Sequence, residues 1–169
     1  MAFLFHDLEP RVRSLMVELI DRDLEAGAFP YGKQLTAEGR AAFAQLLRAA
    51  ALAGDERRLA EALACDGYFL KLESVVRGDV TRYRRVNLAS AALRLAEGEF
   101  NRYYARAVCV RAEERGLEVE VYRARASAKP RPESEALLGR RLAPRGAIDS
   151  ALVPLLPNSG LSIRLRAAC

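Results

Sequence analysis

An α+β fold is predicted by three observations. Helical periodicity fills the first 66 residues, two β-rich runs flank a glycine turn near residue 78, and a long helical stretch is followed by sharply alternating segments. The expected order is a helical segment over residues 1–66, a basic β-hairpin arm over 67–88, and a long central helix with a small α+β part over 89–169. The last region includes a proline-rich loop over 128–160, and the whole reads as one compact domain with arms.

The helical segment is justified first. Asp7 is placed to cap a helix with Pro10 in its first turn, where a missing N–H costs nothing. Val12, Leu15, Met16, Leu19 and Leu24 form its apolar stripe, and Gly27 is its stop. AFPYGKQL, residues 28–35, reads as a loop. Thr36 caps a second helix with Phe43, Leu46, Leu47 and Ala50 on one face, ending at Gly54. Asp55 caps a short third helix through Cys65, with Leu59 and Leu63 inward.

YFLKLESVV (68–76) and VTRYRRVNL (80–88) flank Arg77-Gly78-Asp79, the composition of a hairpin turn. In the second run Val80, Arg82, Arg84 and Val86 alternate with Thr81, Tyr83 and Arg85, so one side is mainly arginine. A long helix follows from about Ser90 to Arg115, closed by Gly116. Leu93, Ala96, Phe100, Tyr103, Ala107 and Val110 form its stripe, which Tyr104 and Val108 widen. Arg94, Glu97, Asn101, Arg111 and Glu114 are assigned to the other side. Gly98 costs about 1 kcal/mol against alanine within a helix. Close approach by another backbone would compensate, so Gly98, Phe100, Tyr103 and Tyr104 are read as packing residues.

LEVEVYRARAS (117–127) is a half-buried strand, with Leu117, Val119, Val121 and Arg123 on one face and Glu118, Glu120, Tyr122 and Ala124 on the other. KPRP is a linker, and residues 133–140 form a short helix closing near Gly139. One helical turn is expected around residues 148–153. GLSIRLRA (160–167) is a terminal strand expected to pair with 117–125.

Charge and motifs narrow the function classes. The chain of 169 residues carries a net charge of +5. Residues 1–85 are balanced, so the excess lies in the second half, chiefly in YRARASAKPRPESEALLGRRLAPR (122–145). Arg82, Arg84, Arg85, Arg123, Arg125, Lys129, Arg131, Arg140 and Arg141 are therefore candidate phosphate contacts, with Tyr83 and Tyr122 interleaved for stacking. The other reading of these residues is a solvated arginine-rich surface.

The single histidine, His6, leaves no Ser-His-Asp or Cys-His set, and it is read as a surface or capping residue. No phosphate loop or dinucleotide fingerprint is present. Cys65, Cys109 and Cys169 lack metal or redox spacing and read as reduced thiols. No cofactor or metal is expected. MAFLFHDLEP lacks the features of a signal peptide, and no run reaches the roughly 20 apolar residues of a membrane span. The expected setting is cytoplasmic or a virion.

The segments LAEGEFNRYYARAVCVRA, VEVYRARASAKPRPESEALLGRRL and PNSGLSIRL together resemble an uncharacterised family of small bacterial and prophage-type proteins. The likeness covers about 75 residues, mostly in the C-terminal half. The order helical segment, basic hairpin, long helix and small α+β part is also similar to that of tailed-phage capsid proteins, although this chain is short for such a subunit. The family likeness carries no function with it; the protruding hairpin, the irregular 128–160 arm and the absence of catalytic sets point to a structural or assembly protein that associates with itself and is phage-like, a capsid or virion component. Two alternatives stay open. One is a nucleic-acid-binding protein using the arginines named above. The other is a carboxylate- or metal-dependent enzyme such as a nuclease, using Glu97 and Glu99 with Asn101 and Arg102, or Glu118 and Glu120.

Overall fold

The structure, a computed structural model, describes residues 3–78, 80–127, 130–145 and 159–168. Lys129, Cys169 and the turn expected at 148–153 lie outside the described residues. The fold is α+β. The elements run α1 (Pro10–Glu25), α2 (Ala37–Ala53), α3 (Glu56–Leu63), β1 (Leu72–Arg77), β2 (Val80–Arg85), α4 (Leu88–Arg115), β3 (Glu118–Arg123), α5 (Pro132–Glu135), β4 (Arg141–Leu142) and β5 (Leu161–Arg166).

Local chemistry explains most of the boundaries. Thr36 accepts a hydrogen bond from the Gly39 N–H at 3.1 Å, and Asp55 accepts one from Arg58 N–H at 2.9 Å. Each satisfies an orphan donor at a helix start. Asn87 caps α4 in the same way through Ser90 N–H at 2.9 Å, so the helix begins at Leu88, two residues before the start expected near Ser90. Pro10 does occupy the first turn of α1, but Asp7 does not cap it. The Asp7 carboxylate instead accepts the Leu165 N–H of β5 at 2.9 Å, tying the N-terminal segment to the last strand.

Helix α4 is the axis of the molecule and packs against α1, α3, β3 and β5. Phe100, Tyr103, Tyr104, Ala107 and Val108 are fully buried, and Gly98 is buried with them. The one-stripe reading of α4 needs correction at three positions. Leu93 is exposed, whereas Glu97 and Asn101 are buried. The middle of the helix has neighbours on most sides, so polar residues there have little solvated face, whereas Arg94, Glu113 and Glu114 towards its ends are exposed. Asn101 is satisfied in place: its Nδ2 donates to Leu161 O at 2.8 Å, and Ser162 Oγ donates to its Oδ1 at 2.6 Å.

Strands β4, β3 and β5 form an antiparallel sheet in that order, and β3 and β5 pair from Glu118↔Arg166 to Arg123↔Leu161. The two-residue β4 had no sequence signal. The helix expected at 133–140 is only one turn, α5, followed by turns to Gly139. Strand β3 is half-buried as its alternation implies, but Tyr122 and Ala124 on its second face are buried too. Residues 3–5 cover them. Leu4 N–H donates to Ala124 O at 2.8 Å, and the Phe5 ring sits 4.6 Å from Tyr104 and 5.2 Å from Phe100. His6 is exposed and packs edge-on against Tyr122.

Candidate functional site: the hairpin arm and the cleft at its base

Strands β1 and β2 form a sheet of their own, paired from Leu72↔Arg85 to Arg77↔Val80, with Gly78 at the turn. Gly78 has φ +58°, a left-handed conformation that glycine adopts without strain. The entry to the arm is fixed by a close approach. Thr36 N–H donates to Tyr68 O at 2.9 Å, and a Cβ on Gly39 would lie 2.2 Å from that carbonyl, so only glycine fits there. A single antiparallel bridge, Leu35↔Phe69, continues the anchor.

Beyond this anchor the hairpin stands clear of the core. Directly opposed residues of an antiparallel pair share a face. Leu72, Val76 and Tyr83 therefore share one face with Ser74, Thr81 and Arg85. They are 55%, 66% and 74% exposed, although apolar. The other face carries Glu73, Arg82 and Arg84. Glu73 accepts from Arg84 Nε at 2.8 Å and is also bonded by Gln34 Nε2. Those hydrogen bonds, from Arg84 first and Gln34 second, hold its carboxyl below the usual range.

At the base of the arm lies a cleft of about 250 Å³. Gln34, Glu73, Arg84, Arg85, Asn87 and Arg94 line it, together with Val86 and Ser90. Arg94, Gln34, Glu73, Asn87 and Ser90 were absent from the candidates read from the sequence. The signal was the 3-then-4 spacing of Asn87, Ser90 and Arg94, which stacks them on one side of a helix start.

The remaining candidates separate. Arg82 is exposed on the hairpin, and Arg84 and Arg85 reach the cleft. Arg123 pairs with Glu135, and Arg125 pairs with the buried Glu97 while its guanidinium lies 5.1 Å from the Phe3 ring. Both arginines thus hold an ion pair within the fold, although Arg123 Nη1 is buried without a hydrogen-bond partner. Arg131, Arg140 and Arg141 are exposed around α5 and β4 and do not converge with the hairpin set into one described site.

The proposed carboxylate sites disperse as well. Glu97 faces Arg125, whereas Glu99 pairs with Arg102 at 3.2 Å near Asp23. Burial raises the Glu99 carboxyl, with Arg102 pulling it back. Asn101 bonds β5 and is not shared with either glutamate. Glu120 is clamped by Arg166 at 2.5 Å and Arg164 at 2.7 Å, which lower its pKa to about 2. Its two oxygens are thereby occupied as structural acceptors. Among the described residues no three His, Cys, Asp or Glu side chains gather closely enough to hold a metal ion. Cys109 is buried and its thiol is pushed up to about 12 by desolvation, so it is a packing residue and not a nucleophile. No described helix is long and apolar enough to cross a membrane.

Comparison with protein-family models, with curated proteins and with solved structures finds no match.

Proposed function

We propose that this chain is a non-enzymatic structural or assembly protein, phage-like in its resemblance, that associates with itself through the hairpin arm. The observation that carries this reading is the apolar face of Leu72, Val76 and Tyr83, exposed on a two-stranded sheet with no third strand. A lone hairpin is marginally stable in water, and a third strand or a packed face is what stabilises it. Four of the eight large apolar side chains exposed among the described residues, Leu70, Leu72, Val76 and Tyr83, belong to this arm or its approach. That concentration favours a docking face over scattered surface residues. Symmetric self-association repeats such a contact at each subunit.

The test is the solution mass of the full chain by light scattering, across a concentration series. A discrete multimer is expected, and the Leu72→Ser/Tyr83→Ser double variant should fall towards the monomer mass with unchanged helical content. A parent chain that stays monomeric at high concentration overturns the reading.

A second reading is supported by a different observation: Arg82, Arg84 and Arg85 are all exposed on β2. A basic arm of this kind suits nucleic acid, with Tyr83 available for stacking. The Arg82→Ala/Arg84→Ala/Arg85→Ala variant then loses salt-sensitive binding to DNA or RNA. Unchanged binding removes the hairpin from that reading.

A further inference from the structure

We infer that the cleft at the base of the hairpin is an anion site that takes a single phosphate-type group. Three arginines, Arg84, Arg85 and Arg94, contribute to its lining against one acidic residue, Glu73, so the lining residues carry a net of two positive charges, with Arg85 entering from the strand end on the other hairpin face. The partners of these groups decide what is left for a ligand. Glu73 already holds Arg84 and Gln34. Arg85 and Arg94 have no ion pair within 4 Å among the described residues, although Arg94 is near enough to help lower the Glu73 carboxyl, and they line the cleft from two different elements, β2 and α4. Asn87 uses its Oδ1 to cap α4, which turns its Nδ2 donor away from that bond. The Ser90 hydroxyl is a further donor on the cleft wall.

The donor set is therefore arginine-rich, and it carries no free carboxylate to oppose an anion. Guanidinium groups recognise tetrahedral oxyanions through paired N–H···O bonds, which a lysine point charge does not reproduce. The volume selects size. At about 250 Å³, the cleft falls below the ~300–1,000 Å³ of pockets that enclose drug-sized ligands. A phosphoryl group fits with its remainder outside. That remainder is a phosphodiester chain in one case and solvent or a small phosphorylated molecule in the other; the recognised chemistry is the same.

Occupancy would also act on the arm. Arg85 belongs to the hairpin and Arg94 to the central helix, so one bound anion ties the arm to the core at a point where Gln34–Glu73 is the described side-chain link. The inference does not rest on self-association: it requires only the cleft, and its variants leave Leu72, Val76 and Tyr83 in place.

The experiment titrates the full chain with inorganic phosphate and, separately, with a short single-stranded oligonucleotide, following amide resonances and melting temperature at fixed ionic strength. Three variants accompany the parent: Arg85→Gln/Arg94→Gln, Ser90→Asp and Arg82→Gln. Ser90→Asp puts a carboxylate on the cleft wall in the first turn of a helix, where a negative charge favours the helix, so the fold is retained. Phosphate binding is expected to weaken at least tenfold in the first two and to stay within twofold in Arg82→Gln, which lies on the hairpin outside the cleft. An oligonucleotide that binds at least tenfold more tightly than phosphate, with the same pattern of loss, identifies the phosphodiester source. Phosphate binding without that gain identifies a free or small-molecule phosphate. No saturable phosphate or oligonucleotide binding overturns the site. So does equal loss in Arg82→Gln, which would mark diffuse charge.

Discussion

The two sheets of this protein are similarly rich in arginine and use it in opposite ways. In β3 and β5, Arg123 pairs with Glu135, and Arg164 and Arg166 share Glu120. Arg125, just past β3, pairs with Glu97 on α4. In the hairpin, Arg84 pairs with Glu73, while Arg82 and Arg85 have no carboxylate among the described residues. The apolar residues diverge in parallel. Val119, Val121, Leu161 and Ile163 are buried against α4, whereas Leu72, Val76 and Tyr83 face solvent. Arginine count by itself therefore says little about ligand binding. What matters is whether the fold supplies each guanidinium with an anion, because a paired arginine has already exchanged water for a carboxylate.

Three substitutions would break or sharpen this contrast. The largest effect is expected at the shared floor of the C-terminal sheet. Phe100→Ala removes a fully buried ring packed by Phe5 and should cost about 3–5 kcal/mol in chemical denaturation. A loss below that of an ordinary surface change would mean that the sheet and the N-terminal segment do not rest on α4 as described.

Asn101→Ala comes next. It leaves the Leu161 carbonyl and the Ser162 hydroxyl without their buried partner, for a cost of about 1–3 kcal/mol. Amide exchange should speed up in β5 and stay unchanged in the hairpin. Equal acceleration in both would show that the two sheets unfold as one unit.

The smallest of the three is Glu120→Gln. The variant keeps the shape and loses the charge that Arg166 and Arg164 share. A cost of about 1 kcal/mol at neutral pH is expected for a pair set at the edge of solvent. The sign with pH follows from the lowered pKa. The clamp stabilises the fold above the ordinary glutamate value of 4.5, and that contribution is lost as pH falls towards about 2. Parent and variant should therefore converge in melting temperature across that window. A difference that persists at pH 2 would assign the effect to packing and not to charge.

Much of the fold was legible because it is written in local chemistry. Thr36 and Asp55 cap the helices they were expected to cap, and α4 ends at Gly116. The glycine turn makes the hairpin, and the alternation of 161–166 makes a strand that pairs with β3. Beyond small shifts of helix ends and the shortened α5, the misreadings were long-range. Asp7 looks like a helix cap and instead binds the backbone of residue 165. Asn101 looks like a surface residue and instead bridges to β5. For the candidate site, Arg84 and Arg85 were named from the sequence. Arg94 was not, because its place in the cleft depends on where the base of the hairpin lies beside the start of α4.

The sequence by itself determined the elements and their order, since periods, caps and turn residues act over a few positions and need no partner from elsewhere in the chain. Tertiary structure alone decided which charges are spent and which remain. Arg125 and Arg85 are equivalent letters in a basic segment. One meets Glu97 across 28 residues, and the other opens onto a cleft between a hairpin and a helix. An ion pair requires its two groups to arrive within about 4 Å, and only the packed chain sets that distance.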